Sequence, residues 1–166
     1  MAYLSSRLLL LLLSVTCLAM ILIALMMEHW LMLEPCPLCI FQRVGVIGAG
    51  TLALIAAIHN PHRLGLRIYG TLIGLSLLGS VVFAIRQLWL QSLPADQVPA
   101  CGPSLEYLMD VLPLTEVLTI VFSGDGSCAE VAWSFLGLSI PAWVIVACLP
   151  MMALTIWATM RPRPQQ

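Results

Sequence analysis

From Leu8 to Met27 the chain runs for twenty residues without a charge. At about 1.5 Å of rise per residue a helix of that length matches a hydrocarbon core of about 30 Å. Inside that core every backbone N–H and C=O must find its partner within the protein, which a helix provides. A signal peptide would carry a shorter apolar region, of about 7–15 residues, and then a small-residue cleavage site. Met26-Met27-Glu28-His29-Trp30 offers no such site, so the segment is read as a membrane anchor. Three more apolar segments follow, and the four spans are placed at about 8–27, 39–58, 68–85 and 142–160. Pro141 suits the first turn of the last one, and Pro150 predicts a kink within it. Composition agrees, with 61% hydrophobic and only 9% charged residues in a chain of 166. The fold class expected is an all-α membrane protein, a single four-transmembrane-helix bundle over residues 1–166.

Arginine sets the direction of insertion. The chain has no lysine, and five of its seven arginines, Arg7, Arg63, Arg67, Arg161 and Arg163, fall on the side of the two termini. All eight acidic residues, from Glu28 to Glu130, fall on the other. The positive-inside rule then places the termini in the cytoplasm and the loops 28–40 and 86–141 outside. In the long loop Leu105, Leu108, Leu112 and Leu118 recur at near-helical spacing among acids, which predicts one or two short helices on the membrane surface, broken at Pro113. Ser123-Gly124-Asp125-Gly126 reads as a turn. No basic run points to nucleic acid, and no Gly-rich loop precedes a helix to hold nucleotide phosphates.

The six cysteines form two classes. Cys17 and Cys148 lie within apolar helices, where a free cysteine packs as a small hydrophobe. Cys36, Cys39, Cys101 and Cys128 all face outside, where an even number of cysteines reads as disulfides. By spacing alone Cys101 and Cys128 fit a structural bridge, worth about 3–4 kcal/mol in the chain-entropy model, as well as they fit a redox pair. Cys36-Pro37-Leu38-Cys39 is different, because its loop is too small to stabilise much. Pro37 can occupy a first helical turn, which puts Cys39 near a helix N-terminus where the dipole favours thiolate, as the Cys-x-x-Cys spacing itself does. Arg43 follows by four residues on the same face. A cation so close to hydrocarbon on the outer side is a functional candidate, the competing explanation being an arginine that snorkels to the headgroups.

Four cysteines could also hold zinc, but the usual pair of Cys-x-x-Cys knuckles is missing its second half. His29, His59 and His62 sit at membrane edges on different sides and cannot clamp a haem. No metal is therefore expected. Two exposed dithiol pairs in one small membrane protein suggest a relay by thiolate attack on a disulfide. A loop pair can meet a soluble partner, and a pair pinned at the bilayer can meet a lipid-soluble oxidant, for which quinone is the natural choice. The contrasting possibility is a non-enzymatic four-span scaffold whose outer cysteines only brace a loop.

Cys36-Pro37-Leu38-Cys39-Ile40-Phe41-Gln42-Arg43 resembles the signature of the DsbB family, the disulfide bond formation proteins of the bacterial inner membrane. Ser123 to Glu130, followed by Trp133 to Trp143, is similar to that family's second signature, and the resemblance covers nearly the whole chain. It implies that a Cys101–Cys128 disulfide oxidises a periplasmic, thioredoxin-like partner similar to DsbA, with Cys101 forming the mixed disulfide. Electrons would pass to Cys36 and Cys39, and Cys39 would meet ubiquinone or menaquinone with the help of Arg43. The family also has a second polar quinone contact near the outer end of the third helix, for which Arg86 is the candidate.

Overall fold

The computed structural model describes residues 6–94, 96–100, 102, 105–124 and 126–160. Four long helices carry the apolar segments: α1 (Ser6–Trp30), α2 (Pro37–His59), α3 (Arg63–Gln91) and, after the long loop, α7 (Ile140–Met160). All four are long and apolar enough to cross a membrane. The long loop folds into α4 (Leu105–Val111), α5 (Leu114–Ser123) and the single turn α6 (Gly126–Ala129), then into a two-stranded hairpin, β1 (Ser134–Phe135) and β2 (Leu138–Ser139). The interruption expected at Pro113 separates α4 from α5, where Pro113 is the residue before the first turn. Of the expected turn 123–126, Gly124 ends α5 at a φ of +96°, and Asp125 lies outside the described residues, as do Arg161 and Arg163. α7 runs on through Pro150, and Pro141 stands in its first turn.

The helices form an incomplete ring. α2 packs along α1 and α3, and α3 along α7, whereas α1 and α7 meet only sparsely. The α2–α3 seam is built from small residues and hydroxyls. Ser76 Oγ donates to the carbonyl of Gly45 at 3.1 Å and Ser80 Oγ to that of Gln42 at 2.9 Å. A Cβ at Gly45 would stand 2.2 Å from Ser80 Oγ, so only glycine permits this approach. Where lipid is no worse a solvent than leucine, such close backbone packing and interhelical hydrogen bonding are what hold helices together. Leu12, Val15, Leu18 and Leu22 of α1 point outward and are exposed, as a lipid-facing surface requires.

Two cores result. One runs through the middle of the bundle, where Ala49, Ala53, Ala56 and Ala57 of α2 are wholly buried against α1, α3 and α7. The second lies at the end that carries the long loop, where Leu38, Leu90, Leu108, Val117, Val121, Cys36 and Cys128 pack together. The third helix creates that second core. It exceeds the segment expected at 68–85 at both ends, and its 29 residues reach about 43 Å at the standard rise. The extra turns after Ile85 give α5 and α6 a wall to pack against.

Candidate active site

Cys36 immediately precedes α2, in extended conformation, and Pro37 takes the first helical position. Proline is favoured there because its missing N–H would have had no partner. The next turn brings Cys39 back over Cys36, and the Cys36 thiol donates to Cys39 Sγ across 3.1 Å. The sequence therefore places the pair at a helix mouth through its own local geometry. Both are free thiols in this structure.

Cys128 comes from 89 residues further along. α6 carries it into the second core, where it is buried and hydrogen-bonded with the Cys36 thiol. Cys36 thus stands between two sulfurs. Its pKa is raised above the ordinary thiol value, first by the hydrogen bond with Cys128, then by that with Cys39, then by burial. Cys101, the other half of the expected loop pair, lies outside the described residues.

The polar partner of this cluster is Gln87, on the projecting part of α3 and almost fully buried. Its Nε2 lies 3.4 Å from Cys36 Sγ and 3.3 Å from Cys39 Sγ, donating to both. Its Oε1 accepts from Gln42 Nε2 at 2.7 Å and from Cys39 Sγ at 3.4 Å. Gln42 is itself buried, one turn below Cys39. With its amino group committed to Gln87, the Gln87 carboxamide is turned so that its N–H groups face the sulfurs. Cys39 Sγ receives two donors, the Cys36 thiol and the Gln87 amide. Donors converging on one sulfur favour the form that carries negative charge.

Arg43 pairs with Glu28 of α1 and also reaches the Ala24 carbonyl at 3.4 Å. The pair ties α1 to α2 at the level of the sulfurs. A cavity of about 460 Å³ opens beside them, walled by Cys36, Cys39, Gln42, Arg43 and Gln87 on one side and by Ile140, Trp143 and Val144 of α7 on the other. It occupies the seam where α1 and α7 separate, and its lining is overwhelmingly apolar apart from these few groups.

Arg86 takes no part in it. Its Nε and Nη2 donate to the carbonyls of Phe122 and Ser123, each at 2.8 Å, and its guanidinium carbon lies 4.1 Å from the centroid of the Trp89 ring. One residue along a helix turns the side chain by about 100°, so the two neighbours face different ways. The polar residue of this part of α3 that lines the cavity is Gln87, which sequence reasoning missed because an uncharged side chain in a long apolar helix does not stand out. The signal that could have found it is its spacing: Ser80 and Gln87 lie seven residues apart, on the α3 face turned to α2.

The family model described as disulfide bond formation protein DsbB matches residues 6–158. Among curated relatives, the disulfide bond formation protein B of Saccharophagus degradans is 53% identical over 146 residues, 87% of each chain. That of Stutzerimonas stutzeri is 49% identical over 142 residues, 86% of this chain and 87% of its own. That of Chromobacterium violaceum is 48% identical over 153 residues, 92% of each. With a site built of three neighbouring cysteines at one end of four membrane-capable helices, and matches of this extent, the chain belongs to the DsbB family of disulfide bond formation proteins.

Proposed function

We propose that this protein is a dithiol:quinone oxidoreductase of the bacterial inner membrane, which reoxidises a periplasmic DsbA-like thioredoxin-fold protein and so sustains disulfide bond formation. The observation that carries the reading is the row of sulfurs Cys128, Cys36, Cys39 ending on an apolar cavity. The arginine asymmetry supports a periplasmic site, since Arg7, Arg63 and Arg67 stand at the opposite ends of their helices from Cys36.

The cavity suits a quinone. It opens between α1 and α7, is large enough for a substituted ring, and is apolar but for Glu28, Glu34, Gln42, Arg43, Gln87, Gln91 and Glu130 among its charged or amide groups. A bound ubiquinone or menaquinone would supply the two-electron acceptor that the chain itself lacks. Cys39, Gln87 and Arg43 are the residues placed to hold it, and Arg43 brings a fixed positive charge to a site where negative charge must collect.

The chain's own groups perform the thiol chemistry. The Cys101–Cys128 disulfide accepts attack from the partner's thiolate at Cys101, which releases Cys128 as a thiolate. Cys128 then attacks the Cys36–Cys39 disulfide at Cys36, its hydrogen-bonded neighbour, and Cys39 leaves as the thiolate. The leaving sulfur is favoured by its two donors, and a better leaving thiolate speeds exchange. The partner's second thiol then attacks its own sulfur in the mixed disulfide, which frees Cys101 as a thiolate and leaves the partner oxidised. Cys101 attacks Cys128 in the Cys36–Cys128 bond, restoring the loop disulfide and leaving Cys36 and Cys39 reduced, two electrons and two protons above their disulfide. Their return to the disulfide delivers those electrons into the cavity.

The test is quinone reduction by the purified protein, followed by absorbance, with a reduced thioredoxin-like partner as donor. Wild type turns over, while Cys39→Ser and Cys128→Ala insert normally and lose turnover. Undiminished reduction by Cys39→Ser rejects the proposal.

A further inference from the structure

The hairpin β1–β2 is the part of the loop that this chemistry leaves unused. Ser134 pairs with Ser139 and Phe135 with Leu138, around the two-residue turn Leu136-Gly137. Both turn residues have positive φ, 52° and 78°. Glycine adopts that region freely, and tight hairpin turns of this kind favour Asn-Gly. Leucine does not belong there, because its Cβ crowds the backbone. Yet Leu136 is 78% exposed, with Phe135 and Leu138 exposed beside it. The chain holds a leucine in a disfavoured conformation and presents it outward. No charged residue occurs anywhere from 131 to 143.

The depth of the hairpin tells what it meets. α7 begins at Ile140 and has 21 residues, about 31 Å at the standard rise, so Ile140 stands close to one edge of a hydrocarbon core of about 30 Å. Trp143, a turn further in, donates from Nε1 to the Phe135 carbonyl at 3.2 Å. β1 is therefore folded back alongside the first turn of the membrane helix and does not stand off it. The ring of Phe135 stacks on Trp133 at 5.9 Å and lies 6.1 Å from Trp143. On its other edge Ser139 Oγ donates to Gln91 Oε1 at 2.8 Å, which ties β2 to the end of α3. A tryptophan-flanked apolar tip fixed at this depth is suited to the boundary between headgroups and acyl chains.

We infer that the hairpin is a lipid-seated wedge. Phe135, Leu136 and Leu138 insert into the leaflet at the loop end, and their seating holds Trp133, Phe135 and Trp143 in place as one wall of the cavity. The partner is the lipid surface itself. The lipid contact stands independently of the redox reading, and only the effect on the cavity rests on it.

The full chain with Leu136 replaced by p-benzoylphenylalanine, in phosphatidylethanolamine–phosphatidylglycerol nanodiscs with a reduced thioredoxin-like partner, tests the contact. The same replacement at Leu22 on the outer face of α1 is the lipid-facing control. Irradiation and mass spectrometry should find one lipid added at position 136 with a yield like that at 22. No lipid adduct at 136 when 22 cross-links, or a protein adduct in its place, overturns the inference. The wall is tested with Leu136→Asp, whose side chain touches no catalytic group. KM for a short-chain quinone should rise roughly three- to tenfold while the exchange rate with the partner's thiols is unchanged. A lipid adduct at 136 together with an unchanged KM would leave the wedge and remove its role in the cavity. Absence of all quinone turnover in wild type would instead be a failure of the proposed function and would not touch the cross-linking result.

Discussion

Two pairs of cysteines lie at different depths in one bundle, and the contrast between them shows what makes a sulfur chemical inside a membrane protein. Cys17 of α1 and Cys148 of α7 are buried in the central core, among neighbours such as Leu13, Ala49, Ala53 and Met151. Cys36 and Cys39 are buried too, or nearly so, but at the point where a helix begins. There the backbone leaves the helical pattern, a third thiol arrives on the long loop, and the Gln87 amide, held by a hydrogen bond from Gln42, donates to both sulfurs. Burial is common to both pairs. The difference lies in polar groups that can follow a change of charge on sulfur, and among the described residues these gather where α3 runs on past Ile85 and a loop core forms on it.

The widest separation between the pairs should appear on substitution of sulfur itself. Cys17→Ala and Cys148→Ala should leave quinone reduction within about twofold of wild type, whereas Cys36→Ser should lower it by at least about a hundredfold, since removing a covalent participant removes the pathway. Each rate is read in purified protein that has passed the same thermal-stability assay. A hundredfold loss in Cys17→Ala would erase the contrast.

The amides should come next. Gln87→Leu removes the donor to both sulfurs and strands the amino group of buried Gln42, at a cost of about 1–3 kcal/mol in stability. Turnover should fall roughly tenfold or more, as when one donor is lost from a site that stabilises charge. The double variant Gln42→Leu/Gln87→Leu separates the two consequences. Replacing both members by apolar groups of similar shape removes the stranded amide, so the melting temperature should recover while turnover stays low. Recovery of both would mean that the pair serves packing alone.

The legible part of the molecule was what periodicity and length encode. Four long apolar segments against a bilayer of fixed thickness leave little freedom, and the breaks at Pro113 and Gly124 follow from local backbone chemistry. Cys36 and Cys39 were legible for the same reason: three residues and a proline at a helix mouth define their own geometry. Cys128 could be named from its surroundings in sequence, but its place against Cys36 depends on α5 and α6 docking on α3, a long-range contact with no periodic trace. The reach of α3 was underestimated because Arg86 and Gln87 interrupt its apolar run. A polar residue in that position reads as a boundary, although here the helix continues to Gln91 with one of the two turned into the core. The hairpin was hidden because its strands are two residues long and its turn carries a leucine where a turn signal would carry asparagine.

The smallest effect is expected from the two arginines that looked alike in sequence. Each stands near the loop end of a spanning helix, but Arg43 lines the cavity with Glu28 beside it, whereas Arg86 holds the last carbonyls of α5. Arg43→Met should therefore raise KM for a short-chain quinone roughly tenfold, the scale of one charged contact near 1.4 kcal/mol, with little change in the thiol exchange that precedes it. Arg86→Met should leave KM within about twofold. Its cost should fall on stability, about 1 kcal/mol for exposed hydrogen bonds to two helix-end carbonyls that water can partly replace. The discriminating measurement is KM in Arg86→Met, corrected for the folded fraction. A rise matching that of Arg43→Met would require the guanidinium to leave Phe122 and Ser123 and turn about the α3 axis toward Gln87. α5 would then lose its tie to α3, so a large KM effect without a parallel loosening of α5 in hydrogen exchange is not available to this fold.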